Sequence, residues 1–200
     1  MNSDKFTIHS REALQDAGRM AIEGGNPEIS TSHLAAVLLD DPESVVSGVL
    51  NSLEVEGTLT AMGTSSSPII FRSNRPLPTL GDWTGIRFMG AASSGSTLAY
   101  CRIEHASTGI RCEDSSPEIS HCEIVGEQVN VIADYYGIYL YRSNAYIHDC
   151  SISNFLNDSN YWARAIYMRE SSPLVENNDI VNNEYGIHIY LEGDAQILNN

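Results

Sequence analysis

Positive charge is what this 200-residue sequence has least of. It holds one lysine, Lys5, and ten arginines against 26 aspartates and glutamates, for a formal net charge of −15. No basic run is available to neutralise phosphates, which argues against nucleic acid and anionic membrane surfaces as main partners. No apolar run approaches the roughly 18 residues needed to cross a bilayer, so membrane insertion is not expected. The start, MNSDKFTIHSREALQ, lacks a basic region followed by an apolar stretch, so no secretory signal is read there and the compartment stays open. No GxxxxGK[ST] loop occurs, so nothing cradles ATP phosphates. The four cysteines, Cys101, Cys112, Cys122 and Cys150, never fall in the CxxC spacing of zinc sites.

What is present divides into two periods. Residues 1–53 read as helical. Leu14, Ala17, Met20 and Ala21 recur at three- and four-residue spacing and make one apolar stripe. Thr7 suits a cap before this helix, and Gly24-Gly25 its end. Thr31 or Ser32 precedes a second apolar run, HLAAVLL, and Asp41-Pro42 opens a third, ESVVSGVLNSL.

The stretch DKFTIHSREALQDA, followed by GGNPEISTSHLAAVLLDDPESVVSGVL, resembles the first repeat of the amino-terminal domain of Clp-type AAA+ disaggregases. The resemblance implies a segment that docks substrate proteins or adaptors, with Thr7 matching a position near the peptide-binding surface. The fourth helix of that repeat, the second repeat and the ATPase modules are missing, so ATP-driven unfolding is not implied. A half domain of this kind leaves an apolar face uncovered, and the expectation is that it folds over whatever follows.

From residue 54 onward the helical period stops and a repeat begins. GIRF (85–88), GIRC (109–112), GIYL (137–140), AIYM (165–168) and GIHI (186–189) are equivalent. Each leads through a turn to a second apolar strand: TLAYCRI, PEISHCEI, AYIHDCSI, PLVENNDI and AQILNN. From Ile110 to Cys122, Ile138 to Cys150 and Ile166 to Asn178 the interval is 12 residues each time, whereas the whole copy varies from 21 to 28. A fixed strand–turn–strand with a variable return predicts one coil of a parallel β-helix, with right-handed connections. The expected fold is therefore mainly β: a right-handed, single-stranded parallel β-helix over residues 54–200, preceded by a short α-helical segment over residues 1–53. The repeats, with VEGTLTAMGTSSSPIIFRSNRP and GDWTGI before them, resemble bacterial right-handed parallel β-helix repeat proteins, a group that includes lyases, hydrolases, adhesins and scaffolds. The sequence ends inside a coil at Asn200, so a fragment, or a chimera without independent function, is one expectation.

Stacking in register turns the repeats into columns. Ile86, Ile110, Ile138, Ile166 and Ile187 are expected inward, as are Phe88, Cys112, Leu140, Met168 and Ile189. Cys101, Cys122, Cys150, Asn178 and Asn200 share a column at a bend. The cysteines are read as buried core residues rather than metal ligands. A disulfide between neighbouring coils remains open, since a rise of about 4.8 Å suits its geometry.

Function is expected on the outward columns. Arg111, Tyr139, Tyr167 and His188 give one face of flat rings with polar edges, suited to sugar rings or a protein partner. Two long returns, residues 125–136 and 153–164, are expected side by side, bringing Asp134, Tyr135, Tyr136, Asp158, Tyr161, Trp162 and Arg164 to one edge. The favoured reading is a non-catalytic binding or scaffold protein for a polysaccharide or protein partner, with no catalytic residue, no metal ligand and no cofactor assigned. The alternative is a polysaccharide lyase or glycoside hydrolase, in which the paired carboxylates and arginine hold calcium or act as acid and base.

Overall fold

A computed structural model of the chain describes residues 15–17, 19, 53–191 and 193–200. Thr7, and the helices expected after Thr31 or Ser32 and after Asp41, lie outside the described residues. The chain divides into two compact units, Met1–Asn51 and Ser52–Asn200. In the first, residues 15–17 and Arg19 are helical and Ala17 is fully buried, in keeping with its place on the apolar stripe.

The second unit is a parallel β-helix. The chain runs from sheet 1 to sheet 2 to sheet 3 and back, and each circuit lies on the one before. Sheet 1 takes Leu53–Val55, Ile86–Met89, Thr108–Glu113, Tyr135–Tyr141, Ala163–Arg169 and Tyr185–Tyr190 in that order. Sheet 2 takes Thr60–Met62, Thr97–Ala99, Glu118–Ser120, Tyr146–His148, Leu174–Glu176 and Gln196–Leu198. Sheet 3 takes Ile69–Phe71, Cys101–Glu104, Glu123–Val125, Ser151–Ser153 and Asp179–Val181. All neighbours within these sheets pair parallel.

The registers are those the repeat predicts. Ile86, Ile110, Ile138, Ile166 and Ile187 are successive partners, as are Phe88, Cys112, Leu140, Met168 and Ile189. Leu98, Ile119, Ile147, Val175 and Ile197 stack in sheet 2, and Ile103, Ile124, Ile152 and Ile180 in sheet 3. The isoleucines of the middle coils are fully buried. Each contributes roughly 1.5–3 kcal/mol relative to an exposed side chain. The glycine before these isoleucines reflects close approach between coils. A Cβ on Gly137 would lie 2.5 Å from Ala165 O, and one on Gly109 would lie 2.7 Å from Gly137 O.

Three corners turn the chain, and each uses left-handed backbone. Tyr100, His121, Asp149 and Asn177 join sheet 2 to sheet 3, and Asn199 follows the last sheet 2 strand, all with φ between 50 and 55°. Asp114, Arg142 and Glu170 leave sheet 1, and His105, Asn154 and Asn182 leave sheet 3, also at positive φ. None of these is β-branched, the class least able to adopt φ above zero. Side chains then stitch coil to coil where the strands break. Ser94 Oγ accepts the Ser116 N–H at 3.0 Å and Ser116 Oγ the Asn144 N–H at 2.8 Å. Asn144 Oδ1 accepts the Ser172 N–H at 3.2 Å, and Ser172 Oγ the Asp194 N–H at 3.0 Å.

The cysteine column follows the same rule. Asn178 Oδ1 accepts the Cys150 N–H at 3.0 Å, while its Nδ2 donates to Ile147 O at 3.2 Å. Asn200 repeats the pattern toward Asn178 N–H and Val175 O. One coil earlier, Cys150 Sγ takes the acceptor place for the Cys122 N–H at 3.4 Å. All four cysteines are free and buried. Burial alone pushes the Cys112 thiol well above its ordinary range. These are packing groups, which answers the question the sequence left open about a disulfide.

Two expectations follow from this core. Asn178→Ala strips partners from a buried N–H and a buried carbonyl, and costs about 1–3 kcal/mol. Asn178→Cys, the residue the column already uses at 122 and 150, costs less. Urea midpoints therefore fall in the order wild type, Asn178→Cys, Asn178→Ala. A thiol reagent labels none of the four cysteines in the native β-helix and all four after denaturation.

Candidate ligand-binding face

Successive side chains of a strand alternate between core and solvent, so sheet 1 has an outward set as well as an inward one. Arg87, Arg111, Tyr139, Tyr167 and His188 are successive partners on it. Met89, Glu113, Tyr141, Arg169 and Tyr190 form the column beside them. A third column, Thr108, Tyr136, Arg164 and Tyr185, stands on the other side. Tyr136 and Arg164, expected on loops, are strand residues. The strands start at Tyr135 and Ala163, so the two returns are shorter than the sequence suggests.

Parallel strands lie about 4.8 Å apart, which brings side chains in one column into contact. The Tyr139 and Tyr167 rings stack with centroids 5.2 Å apart and planes 27° apart, and Tyr190 stacks on Tyr167 at 6.5 Å. Tyr136 meets Tyr139 edge-on at 5.3 Å. The Arg111 guanidinium lies 4.2 Å over the Tyr139 ring, and that of Arg169 lies 5.3 Å over Tyr141.

Arg164 ties this face to the loops. Its side chain is only 2% exposed, and a buried cation is costly unless its donors and charge are met. Its guanidinium sits 4.3 Å from the Trp162 ring centroid and 5.2 Å from that of Tyr167. Nε donates to His188 Nδ1 at 2.9 Å. Nη1 donates to the Tyr136 hydroxyl at 3.3 Å and pairs with Asp134 Oδ2 at 3.5 Å. Asp134 also accepts the Tyr136 hydroxyl at 3.0 Å and the Trp162 backbone N–H at 3.0 Å. Burial, with the Asp134 carboxylate second, pushes the Tyr136 phenol up to about 12. Burial and the Arg164 charge hold His188 below its ordinary value.

The structure thus brings Asp134, Tyr136, Trp162, Arg164, Tyr167 and His188 together, with Tyr139 and Arg111 continuing the face. Asp158 is elsewhere in the loop pair. It accepts from Gln128 Nε2 at 2.8 Å, beside the short parallel ladder Gln128–Val129 with Leu156–Asn157 that holds the two returns side by side. Asp134 and Asp158 take separate partners. Tyr161 is exposed and lies outside the ring contacts, and its backbone N–H binds Ser159 Oγ. Tyr135, expected at the edge, turns inward and is buried, because it sits one position before the outward Tyr136. Tyr185 belongs to the face and escaped sequence reasoning. Its signal was positional: it precedes Ile187 by two residues, as Tyr136 precedes Ile138.

Two family descriptions match the chain. The Clp repeat (R) N-terminal domain matches residues 5–65. The structure places Thr60–Met62 from the end of that span in sheet 2 of the β-helix. No solved structure matches the chain. The family described as periplasmic copper-binding protein (NosD) matches residues 51–200, the whole of the repeat whose columns build this face, and the chain belongs to that family.

Proposed function

We propose that the protein is a non-catalytic binding module that holds a polysaccharide along the outward face of sheet 1. The observation that carries this reading is the stack of Tyr139, Tyr167 and Tyr190 with Arg111 and Arg169 laid over neighbouring rings. With their faces stacked on one another, the tyrosine rings turn C–H edges and hydroxyls outward, and together with the guanidinium edges these meet the C–H groups and oxygens of a sugar. The columns recur at the strand spacing, so a linear polymer crossing the later coils meets the Tyr139, Tyr167 and His188 rings in succession. The β-helix holds these rings without further ordering, which lowers the entropic cost of capture. The amino-terminal segment, by its resemblance to the Clp repeat, serves as a protein-docking element, with Thr7 as the candidate contact.

The acid and base of a glycosidase or lyase find less support. Asp134 is taken up by Tyr136, Trp162 N–H and Arg164, and Glu113 and Glu170 pair with Arg111 and Arg169. The copper of the family description also finds no ligand set here. Copper favours thiolate or imidazole donors converging on one point. Among the described residues no three His, Cys, Asp or Glu side chains do so. The stacked Cys101, Cys122 and Cys150 turn their sulfurs to backbone carbonyls instead.

A polysaccharide array followed by titration tests the reading. Tyr139→Ala and Tyr167→Ala are each expected to weaken binding about tenfold with little change in melting temperature. Product release from the bound polymer, or full binding by both variants, overturns the proposal.

A further inference from the structure

Within that saccharide-binding reading, the polar contacts of His188 narrow the ligand class. The Arg164 Nε–H can only donate, so the His188 Nδ1 it meets at 2.9 Å must accept. An imidazolium has no acceptor nitrogen, so the ring is neutral and its one proton sits on Nε2. The groups around it keep it so. Arg164 brings positive charge against one edge, and Trp162, Tyr185 and Tyr167 enclose the ring at centroid distances of 6.2, 6.2 and 5.4 Å. The carboxylates bordering this set are engaged elsewhere: Asp134 is turned to Arg164 and Tyr136, and Glu184 accepts the Ala163 N–H at 3.0 Å. His188 is therefore a fixed uncharged donor set among aromatic rings on the open face.

The charges of the face point the same way. Arg87 pairs with Glu54 at 3.6 Å, Arg111 with Glu113, Arg164 with Asp134 at 3.5 Å and Arg169 with Glu170 at 3.2 Å. Each of its arginines has a carboxylate of its own. An anionic polymer would have to displace these partners and approach a chain of net charge −15. An uncharged one needs only rings and neutral donors.

We propose that the ligand is an uncharged polysaccharide and that the His188 Nε2–H, oriented by Arg164, selects it by donating to a sugar oxygen beside the Trp162 and Tyr185 rings.

The test uses the full chain with a soluble neutral glucan and with polygalacturonate. The glucan is expected to bind and the polyuronate is not. Glucan affinity stays level from about 0.05 to 0.5 M salt and as the pH falls from about 8 to about 6.5, the ordinary histidine value. Imidazole nitrogen NMR shows the His188 proton on Nε2. His188→Leu loses about tenfold in glucan affinity, while His188→Gln, whose amide places a donor near the same point, keeps most of it. Preference for the polyuronate, steep salt dependence, or undiminished binding by His188→Leu overturns the proposal and leaves the saccharide face standing. Retention of no polysaccharide of either kind removes the face reading itself.

Discussion

Every structural feature of residues 53–200 depends on one constraint: each coil must hydrogen-bond to the next in unbroken parallel register. Parallel strands supply that bonding along three sheets, and the corner residues extend it by single backbone bonds, such as Asp149 N–H to Glu176 O and Arg142 N–H to Arg169 O, before the backbone turns away from a carbonyl partner. There the side chains take over. Ser94, Ser116, Asn144 and Ser172 each accept a backbone N–H from the following coil, and Asn178 and Asn200 accept and donate at once. A buried amide left without a partner costs as much as a lost hydrogen bond, so these positions are restricted to small polar groups, or to a thiol that bonds weakly in the same place. Cys101, Cys122 and Cys150 belong to this corner chemistry, whereas Cys112 is a core residue of a sheet 1 strand.

The outward face inherits its order from the same register. Because the core fixes which residue lies beside which, Tyr139 meets Tyr167 and Tyr167 meets His188 without any bond made for that purpose on the surface. Arg164 then adds a local constraint. A cation that is almost wholly buried needs its aromatic enclosure, its histidine and its carboxylate together, and it thereby fixes the two returns carrying Asp134 and Trp162 against the edge of sheet 1. The outward face and its loops are held from beneath by one side chain.

Much of this was legible in the sequence. The Ile columns could be read because the interval from Ile110 to Cys122 recurs unchanged in two further copies, and a parallel stack converts a constant interval into a constant neighbour. His188 and the Tyr139–Tyr167 pair followed from the same alignment. The start of each sheet 1 strand was not legible. Tyr136 and Arg164 sit before the glycine or alanine that marks the repeat, and only the pairing of Tyr135 with Ala163 and of Tyr136 with Arg164 shows that strand structure begins there. The corners were hidden for a different reason. Tyr100, Arg142 and Glu170 are not turn formers by type, and stacking imposes their left-handed backbone from outside. The partition of Asp134 from Asp158 depends on loop paths that no local pattern encodes.

The unequal length of the coils has an evolutionary consequence. From one inward isoleucine to the next the count is 24, 28, 28 and 21 residues, yet the partners never slip. Most surplus residues are placed in the returns between sheet 3 and sheet 1, outside the three sheets, and the Ile86 coil places its own in the sheet 1 to sheet 2 corner that holds the 3-10 turn Ala91–Ser93. Insertions and deletions there leave the hydrogen bonding of the stack intact, so such a chain can exchange the loops that border the outward face of sheet 1, or duplicate a coil and lengthen that face, without refashioning its core.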